Sequence, residues 1–346
     1  MEIRLLEPAH DMVTAPLQRF SWPLNEEAQG CPAVQVPMIT WDALNAVAED
    51  RSLPCPVTFR WEAIPAQGAV RYDLLLATEP TFAAPRRFAG LREQYTDVWH
   101  LHLDTRYYWT VQAKLDGRLL ATAPTGHVMT HPAPPRWIHV PGITNVRDMG
   151  GWPVREGRIR QGLLYRTSEM NAHLQISEEG RQLLYELGIR TDIDLRGESE
   201  NTVPVLDARV RWVNIPVKPY QAFCEDDPRG STAYRRLFIE LANPENYPLM
   251  FHCWGGADRA GTFAFLIGAL LGMSLDDLIR DYELTTLSIW GPRRHTSPEF
   301  SGMLDALRAF GPDPLDIYAL VEAYLSAIGI TRAEMQTIRE TMVEAG

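Results

Sequence analysis

The sequence predicts two domains: an all-β sandwich over residues 1–130, and an α/β domain over residues 138–346 with a mostly parallel sheet flanked by helices. The 346 residues exceed what a single hydrophobic core usually supports. The first third alternates apolar and polar residues with the two-residue period of strands, whereas the rest alternates short apolar runs with helical periodicity. The proline-rich residues 131–137 separate the two patterns and are predicted to be a linker.

Short strands rich in aromatic and β-branched residues predict the β-sandwich. Three segments show this pattern: residues 57–61, 71–76 and 106–114. Asp116 and Gly117 then form a predicted tight turn into a further strand, which makes a hairpin. Residues 17–52 lack such a pattern and are predicted to be an irregular insertion in this domain.

Strands and helices alternate in the second domain. Ser177 is a predicted N-cap of a helix that stops before Gly188, and Thr331 with Glu334 forms a capping box before the last helix. Buried strands are predicted at residues 189–195, 210–217 and 248–253. Further helices are predicted at residues 234–241, from Ala260 onward, and after Ser274. This order predicts a mostly parallel sheet with helices on its faces.

Composition and charge exclude several classes of protein. The net charge of −11 and the absence of a basic run argue against a protein that coats nucleic acid. No signal peptide and no apolar run of about 20 residues is present, so we expect a cytoplasmic protein without membrane insertion. Four cysteines in so long a chain do not form a disulfide framework, and no cluster has metal-ligand spacing. We therefore predict neither a metal nor a cofactor.

Residues 252–262 are the most informative segment, because Cys253 ends a predicted strand and a helix begins near Ala260. Backbone N–H groups of the loop between them can form a nest for an anion, and the helix N-terminus adds its dipole. The same positive field favours the nucleophilic thiolate of Cys253, and Arg259 can hold two oxygens of a tetrahedral anion. The predicted phosphate-binding residues are Trp254, Gly255, Gly256, Ala257, Asp258, Arg259 and Ala260.

The sequence His-Cys-x-x-Gly-x-Asp-Arg-x-Gly in this segment resembles the bacterial branch of the cysteine-dependent protein-tyrosine and dual-specificity-like phosphatases. Four more segments are similar to that branch, in the same order: residues 145–151, 164–168, 192–196 and 281–285. The resemblance implies hydrolysis of a phosphorylated protein or a small phosphomonoester. It also implies that Cys253 attacks phosphorus, that Arg259 stabilises the transition state, and that a phosphocysteine forms and is hydrolysed.

Two aspartates are candidates for the general acid. Asp258 lies in the loop, and Asp194 ends a predicted parallel strand, where α/β proteins usually build their sites. We favour Asp258, because the resembled branch has an aspartate at this position. Five further residues are predicted to support the site: His252, Asn145, Arg147, Asp148 and Arg196.

The roles of several of these residues stay open at the level of sequence. His252 is either a core histidine that bonds to backbone or a group that tunes the thiolate. Arg147, Asp148 and Arg196 are either ion-paired supports or substrate contacts. Trp254 either packs beneath the loop or lines the mouth of the pocket.

Two positions depart from the family pattern. Ala260 stands where the family has a hydroxyl residue that assists the leaving thiolate, so we expect slow breakdown of the phosphoenzyme, with Thr262 as the nearest hydroxyl. Ala257 stands where a lysine is associated with phosphoinositide hydrolysis, which disfavours that substrate. Two alternatives are therefore a phospho-ligand-binding pseudo-phosphatase with weak turnover and a phosphoinositide or small-molecule phosphatase. A thiol-based oxyanion reductase would need a partner cysteine, for which Cys224 is the candidate.

Arg293 and Arg294 form a basic pair between two predicted helices, which is either a solvated loop or a rim site for a phosphorylated substrate. The first domain resembles a fibronectin type III domain in residues 59–61, 72–76 and 103–109 and in a final strand that ends at Thr130. It has no visible catalytic cluster, and its partner is unknown. The resemblance implies a scaffold or a binding module.

Overall fold

A computed structural model describes residues 1–20, 22, 24, 33–38, 47–64, 69–197 and 202–345. The chain divides into two units: Met1–Arg19 with Pro54–Arg136, and Phe20–Leu53 with Trp137–Gly346. The strands of the described residues are β1 (Glu2–Glu7), β2 (Val34–Pro37), β3 (Val47–Asp50), β4 (Val57–Ile64), β5 (Arg71–Ala77), β6 (Arg86–Leu91), β7 (Tyr95–Val98), β8 (Arg106–Leu115), β9 (Arg118–Thr122), β10 (Gly126–Met129), β11 (Arg136–Trp137), β12 (Arg147–Asp148), β13 (Pro153–Val154), β14 (Gly157–Ile159), β15 (Leu164–Thr167), β16 (Thr191–Asp194), β17 (Arg211–Asn214), β18 (Leu249–His252) and β19 (Val343–Ala345).

The same residues contain α-helices that all belong to the second unit. They are α1 (Glu178–Glu186), α2 (Ser231–Leu241), α3 (Arg259–Leu271), α4 (Leu275–Glu283), α5 (Pro298–Arg308), α6 (Ile317–Ala327) and α7 (Arg332–Met342). The predicted caps are present, since Ser177 accepts a hydrogen bond from the Gly180 N–H and Thr331 forms a capping box with Glu334. No helix in the described part of the chain is both long and apolar enough to cross a membrane.

The first unit is built of β-strands. One sheet has the order β1-β4-β7, and a second has the order β10-β8-β5-β6 with β9 also on β8. Strand β4 alternates as expected, with Phe59 and Trp61 buried in a core that also contains Leu74 and Trp109. The predicted hairpin is present: β8 pairs with β9, and Asp116 and Gly117 both have positive φ.

The main sheet of the second unit has the order β11-β12-β15-β18-β16-β17. Strands β15, β18, β16 and β17 pair in parallel, whereas β12 pairs with β15 antiparallel, so the sheet is mixed. The carboxyl ends of three neighbouring strands lie in register, because Thr167 and Asp194 both pair with His252. Helix α3 packs against this sheet and is buried along almost its whole length. The loop after His252 therefore lies between the ends of the two neighbouring strands.

The boundary between the units differs from the one that the sequence predicts. The described residues between 20 and 53 belong to the second unit, not to an insertion in the β-sandwich. Leu24, Val36 and Met38 are buried in hydrophobic clusters of the second unit, and β2 pairs with β3. Apolar residues this widely spaced show no periodicity from which their burial could be predicted. Residues 21, 23, 25–32 and 39–46 of the predicted insertion lie outside the described residues.

The predicted linker also contains structure. Arg136–Trp137 forms β11 at the edge of the main sheet, next to β12. Both residues are buried, and Arg147 lies over the Trp137 ring with 5.2 Å from the guanidinium carbon to the ring centre. A run of prolines predicts an interruption between domains, but it does not show where the next strand begins.

Candidate active site

The loop that follows Cys253 connects β18 to the first residue of α3, Arg259. Cys253 is only 2% exposed. Gly256 has a φ of 64°, and a Cβ atom there would lie 2.4 Å from the carbonyl oxygen of Thr167. Any other residue would therefore displace the loop from the end of β15. The loop closes on the N-terminus of a 13-residue helix, where the helix dipole attracts an anion.

Buried side chains hold three successive carbonyl groups of this loop. Asn145 donates from Nδ2 to the Gly255 oxygen at 2.9 Å. Arg166 donates from Nε to the Gly256 oxygen at 2.8 Å and from Nη2 to the Ala257 oxygen at 3.2 Å. In a trans peptide the C=O and the next N–H point in opposite directions. The N–H groups of the loop are therefore turned away from these supports, as an anion-binding nest requires.

Asp281 of α4 holds the two arginines behind the loop. Its Oδ1 accepts from Arg147 Nε at 2.8 Å, and its Oδ2 accepts from Arg166 Nη1 at 2.6 Å. Burial raises the pKa of Asp281, but Arg147 and Arg166 outweigh it and bring the pKa below its ordinary value. Burial and the neighbouring Arg147 lower the pKa of Arg166 to about 10, so Arg166 stays a cation at neutral pH. Arg147 thus contacts Asp281 and Asn145, the second of which binds the loop.

Asp258 lies at the end of the loop and is bound from two sides. Arg293 donates to both carboxylate oxygens, from Nε at 2.7 Å and from Nη2 at 2.8 Å. The Tyr220 hydroxyl donates to Oδ1 at 2.5 Å. Burial raises the pKa of Asp258, but Arg293 and Tyr220 outweigh it and bring the pKa below its ordinary value. The side chain is 36% exposed, so a ligand in the loop can reach it.

Asp194, the other candidate acid, is wholly buried at the end of β16. Its carboxylate accepts from the backbone N–H and the guanidinium of Arg196 at 2.8 to 3.2 Å. Burial raises the pKa of Asp194, but His252 and Arg196 outweigh it and lower the pKa. Burial lowers the pKa of His252, but Asp194 and Asp192 outweigh it and raise that pKa. These side chains form a buried ion cluster beside the nucleophile.

Aromatic rings from three segments meet beside the loop. Trp254 is 36% exposed, and its ring centre lies 4.5 Å from that of His173 in an edge-on arrangement. The His173 ring lies 5.9 Å from Trp290, which packs so closely on Gly255 that a Cβ there would come within 2.8 Å of Cγ. The segment that carries His173 is held by Glu169, whose carboxylate accepts four backbone N–H groups. Of the two alternatives for Trp254, its exposure favours the mouth of the site.

The remaining predicted residues lie farther from the loop or make local contacts. Asp148 accepts from the N–H groups of Gly150 and Gly162 and so supports a turn. Arg294 is exposed, in contrast to Arg293. Thr262 Oγ1 donates to the Asp258 carbonyl and accepts from the Tyr220 N–H, each at 2.9 Å. Its hydroxyl is therefore engaged with two backbone groups.

Sequence reasoning missed Tyr220 and the supporting roles of Arg166 and Asp281. Arg166 and Asp281 lie in segments that are similar to the phosphatase branch, which was the one signal for them. No local pattern marks Tyr220, because its contact with Asp258 spans 38 residues. One group of potential metal ligands occurs in the described part of the chain: His10, Asp11 and His127 of the first unit have ligand atoms within 4.8 Å of one another.

A cysteine at the end of a parallel strand, a loop of inward N–H groups and an arginine at a helix start are the features of a site for one phosphate group. Residues 138–344 match the model of the tyrosine phosphatase family, and the chain belongs to this family.

Two curated relatives are named as tyrosine-protein phosphatases. One, from Cupriavidus necator, is 31% identical over 165 residues, which are 40% of this chain and 59% of that protein. The other, from Nostoc commune, is 20% identical over 219 residues, which are 50% of this chain and 72% of that protein. A similar solved structure is the core catalytic domain of the PP-IP phosphatase SIW14 from S. cerevisiae in complex with citrate. It is 17% identical with a TM-score of 0.31 and covers 42% of this chain and 82% of that one.

Proposed function

We propose that this protein hydrolyses phosphomonoesters through a phosphocysteine, most directly as a protein-tyrosine or dual-specificity phosphatase. The observation that carries the proposal is the outward fixing of three loop carbonyls by Asn145 and Arg166, which leaves a nest of N–H groups next to Cys253. Family membership supports the same activity. The substrate's phosphate group is held by this nest and by Arg259 at the N-terminus of α3.

The proposed reaction has two steps. The Cys253 thiolate attacks phosphorus, an S–P bond forms, the P–O bond to the leaving group breaks, and that oxygen takes a proton. Water then attacks the phosphocysteine, gives up a proton, and inorganic phosphate leaves as the S–P bond breaks. We assign both proton transfers to Asp258, which is partly exposed at the loop. Asp194 is less suited, because its side chain is wholly buried, whereas that of Asp258 is partly exposed.

The test uses the purified full chain with an aryl phosphate in a metal-free buffer that contains chelator. Wild type is expected to turn over and to be inhibited by vanadate, whereas Cys253→Ser is expected to lose essentially all turnover. Cys224→Ser is the matched control, since Cys224 is the other described cysteine of the second unit. Turnover that survives in Cys253→Ser and is lost in Cys224→Ser would exclude the proposed nucleophile.

The second candidate is a pseudo-phosphatase that binds phosphorylated ligands and turns over weakly. Its support is Ala260, together with the engagement of the Thr262 hydroxyl by backbone groups. Rapid-mixing kinetics separate the two: an enzyme with slow phosphocysteine breakdown releases one leaving group per active site in a burst. A binding protein binds the phosphopeptide and shows no burst.

For the first unit we propose a fibronectin type III-like sandwich that acts as a scaffold or binding module. Two sheets around one core support this proposal, with Trp109 and Phe59 in edge-on contact at 5.1 Å between ring centres. Substitutions that abolish ligand binding by the first unit are expected to leave turnover of a small aryl phosphate intact, because no proposed catalytic residue belongs to this unit.

A further inference from the structure

Asp50, Arg51 and Ser52 lie in sequence between the two parts of the first unit, Met1–Arg19 and Pro54–Arg136, but belong to the second unit. Asp50 is 2% exposed and Ser52 is 1% exposed. The backbone N–H of Arg51 donates to the Leu287 carbonyl oxygen at 2.8 Å, which joins this segment to the chain that follows α4. The family match covers residues 138–344 and does not include this segment.

A chain of hydrogen bonds leads from this segment to the phosphate loop. The Ser52 hydroxyl donates to Asp50 Oδ1 at 2.5 Å, and its oxygen accepts from the Asn145 backbone N–H at 3.0 Å. The Asn145 side chain then donates to the Gly255 carbonyl oxygen at 2.9 Å. The direction of the bond to Asn145 is fixed, because a backbone N–H can only donate and the Ser52 oxygen must therefore accept.

Among the residues of this hydrogen-bond network, Asn145 has the backbone conformation that needs support. Its φ of 58° lies in the left-handed region, which is uncommon for a residue other than glycine. Its side chain makes three contacts that depend on this conformation: to Gly255, to Thr285 Oγ1 at 3.2 Å, and from Arg147. Ser52 satisfies the buried N–H of this residue. Without that acceptor, a buried donor would be left unpaired and the conformation of Asn145 would lose a contact that fixes it.

We propose that Ser52, oriented by Asp50, is a positioning residue of the phosphate loop, and that the catalytic unit of this protein is discontinuous. A segment that lies in sequence between the two parts of the first unit thus takes part in orienting the peptide between Gly255 and Gly256. Asn145 binds the C=O of this peptide, and its N–H faces the proposed phosphate site. The expected effect of Ser52 on kcat/KM rests on the proposed function. Its effect on the orientation of the loop can be measured separately, through the affinity for an anion such as vanadate.

The experiment compares Ser52→Ala, Asp50→Ala and Asp50→Asn in the full chain. Asp50→Asn keeps an acceptor oxygen for the Ser52 hydroxyl and is the conservative variant. Thr110→Val is the matched control, because it removes another buried hydroxyl that donates to a carbonyl, at 2.8 Å to Ala123, in the first unit. For each protein, kcat and KM are measured with an aryl phosphate, the Kd of vanadate is measured by calorimetry, and the thermal midpoint is recorded.

Ser52→Ala and Asp50→Ala are expected to lower kcat/KM by about ten-fold and to weaken vanadate binding by a similar factor, at temperatures where the variants are fully folded. Asp50→Asn is expected to retain most of the efficiency, and Thr110→Val to change neither quantity. Unchanged kcat and vanadate Kd in folded Ser52→Ala would overturn the inference. If wild type shows no Cys253-dependent turnover, the proposed function fails, and the vanadate affinities still decide the role of Ser52.

Discussion

Two neighbouring side chains act on the protonation of Asp258. Arg293 binds both of its oxygens, and the Tyr220 hydroxyl binds one. A carboxylate held in this way loses its proton more readily than a free one, so at neutral pH it is poised to accept a proton from water in the second step. Arg293, which the sequence leaves open as a solvated-loop residue or a rim residue, thus binds the proposed proton-transfer group itself.

Replacement of Arg293 by methionine is expected to move the Asp258-dependent limb of the pH profile of kcat/KM to higher pH. The cation lowers the pKa of Asp258, so its removal raises that pKa. The measurement is kcat/KM for an aryl phosphate from pH 4 to 9. Arg294→Met, in the exposed neighbouring arginine, is the control and should leave the profile in place. Asp258→Asn should lack the limb, and its persistence there would assign the proton transfer to another group.

At the scale of elements, the loop after Cys253 is held by side chains far away in sequence. Arg166 at the end of β15 and Asp281 in α4 are 115 residues apart, and both are buried. Asp281 is the only carboxylate that the described residues show bound to both Arg147 and Arg166. Removal of one partner of a buried ion cluster is costly, because the remaining charges stay buried without compensation.

Asp281→Asn is therefore expected to lower the free energy of unfolding by about 3–5 kcal/mol. Asp316→Asn is the matched control: Asp316 pairs with Arg155 at 2.7 Å, but both side chains are exposed, and such pairs contribute about 0–1 kcal/mol. Urea unfolding monitored by circular dichroism measures both variants. A loss in Asp281→Asn as small as that in Asp316→Asn would show that the cluster does not hold the loop.

The elements differ in how far the sequence predicts them. The strand, loop and helix around Cys253 are contiguous, so their residue pattern alone predicts β18, the nest and α3. The supports of the loop are not predictable in this way. Asn145 reaches Gly255 across 110 residues, and Arg147 reaches Asp281 across 134. A local pattern identifies that such residues are charged or polar, but only the folded sheet determines which of them meet.

At the scale of the whole molecule, the net charge of −11 does not prevent one local site from binding an anion. The acidic composition disfavours long polyanions, whereas the proposed site would bind a single phosphate group with one arginine, the N–H groups of one loop and a helix end. The unit boundary was the least predictable large-scale feature. Leu24, Val36 and Met38 are single apolar residues in a stretch without periodicity, and their burial depends on partners beyond residue 137.

Acid stability of the whole chain depends on carboxylates whose pKa is lowered by folding, and Asp73 of the β-unit offers the clearest test. Its side chain is 4% exposed and binds Arg87, Lys114 at 2.6 Å, and the Gly90 N–H. Burial raises its pKa, but Lys114, Gly90 and Arg87 outweigh it and lower the pKa to about 2. A lowered pKa adds stability above about pH 4, the ordinary value for aspartate, and that stability is lost as pH falls toward 2.

Asp73→Asn should therefore lower the thermal midpoint of the β-unit clearly at pH 7 and much less at pH 2.5, where protonation has already removed most of the contribution. Differential scanning calorimetry at the two pH values measures the difference. Asp97→Asn is the control, since Asp97 is an exposed residue of β7 whose carboxylate accepts from the Thr58 hydroxyl. An equal loss at both pH values would mean that Asp73 stabilises the sheet through its shape and hydrogen bonds, and that its charge contributes nothing to the pH dependence.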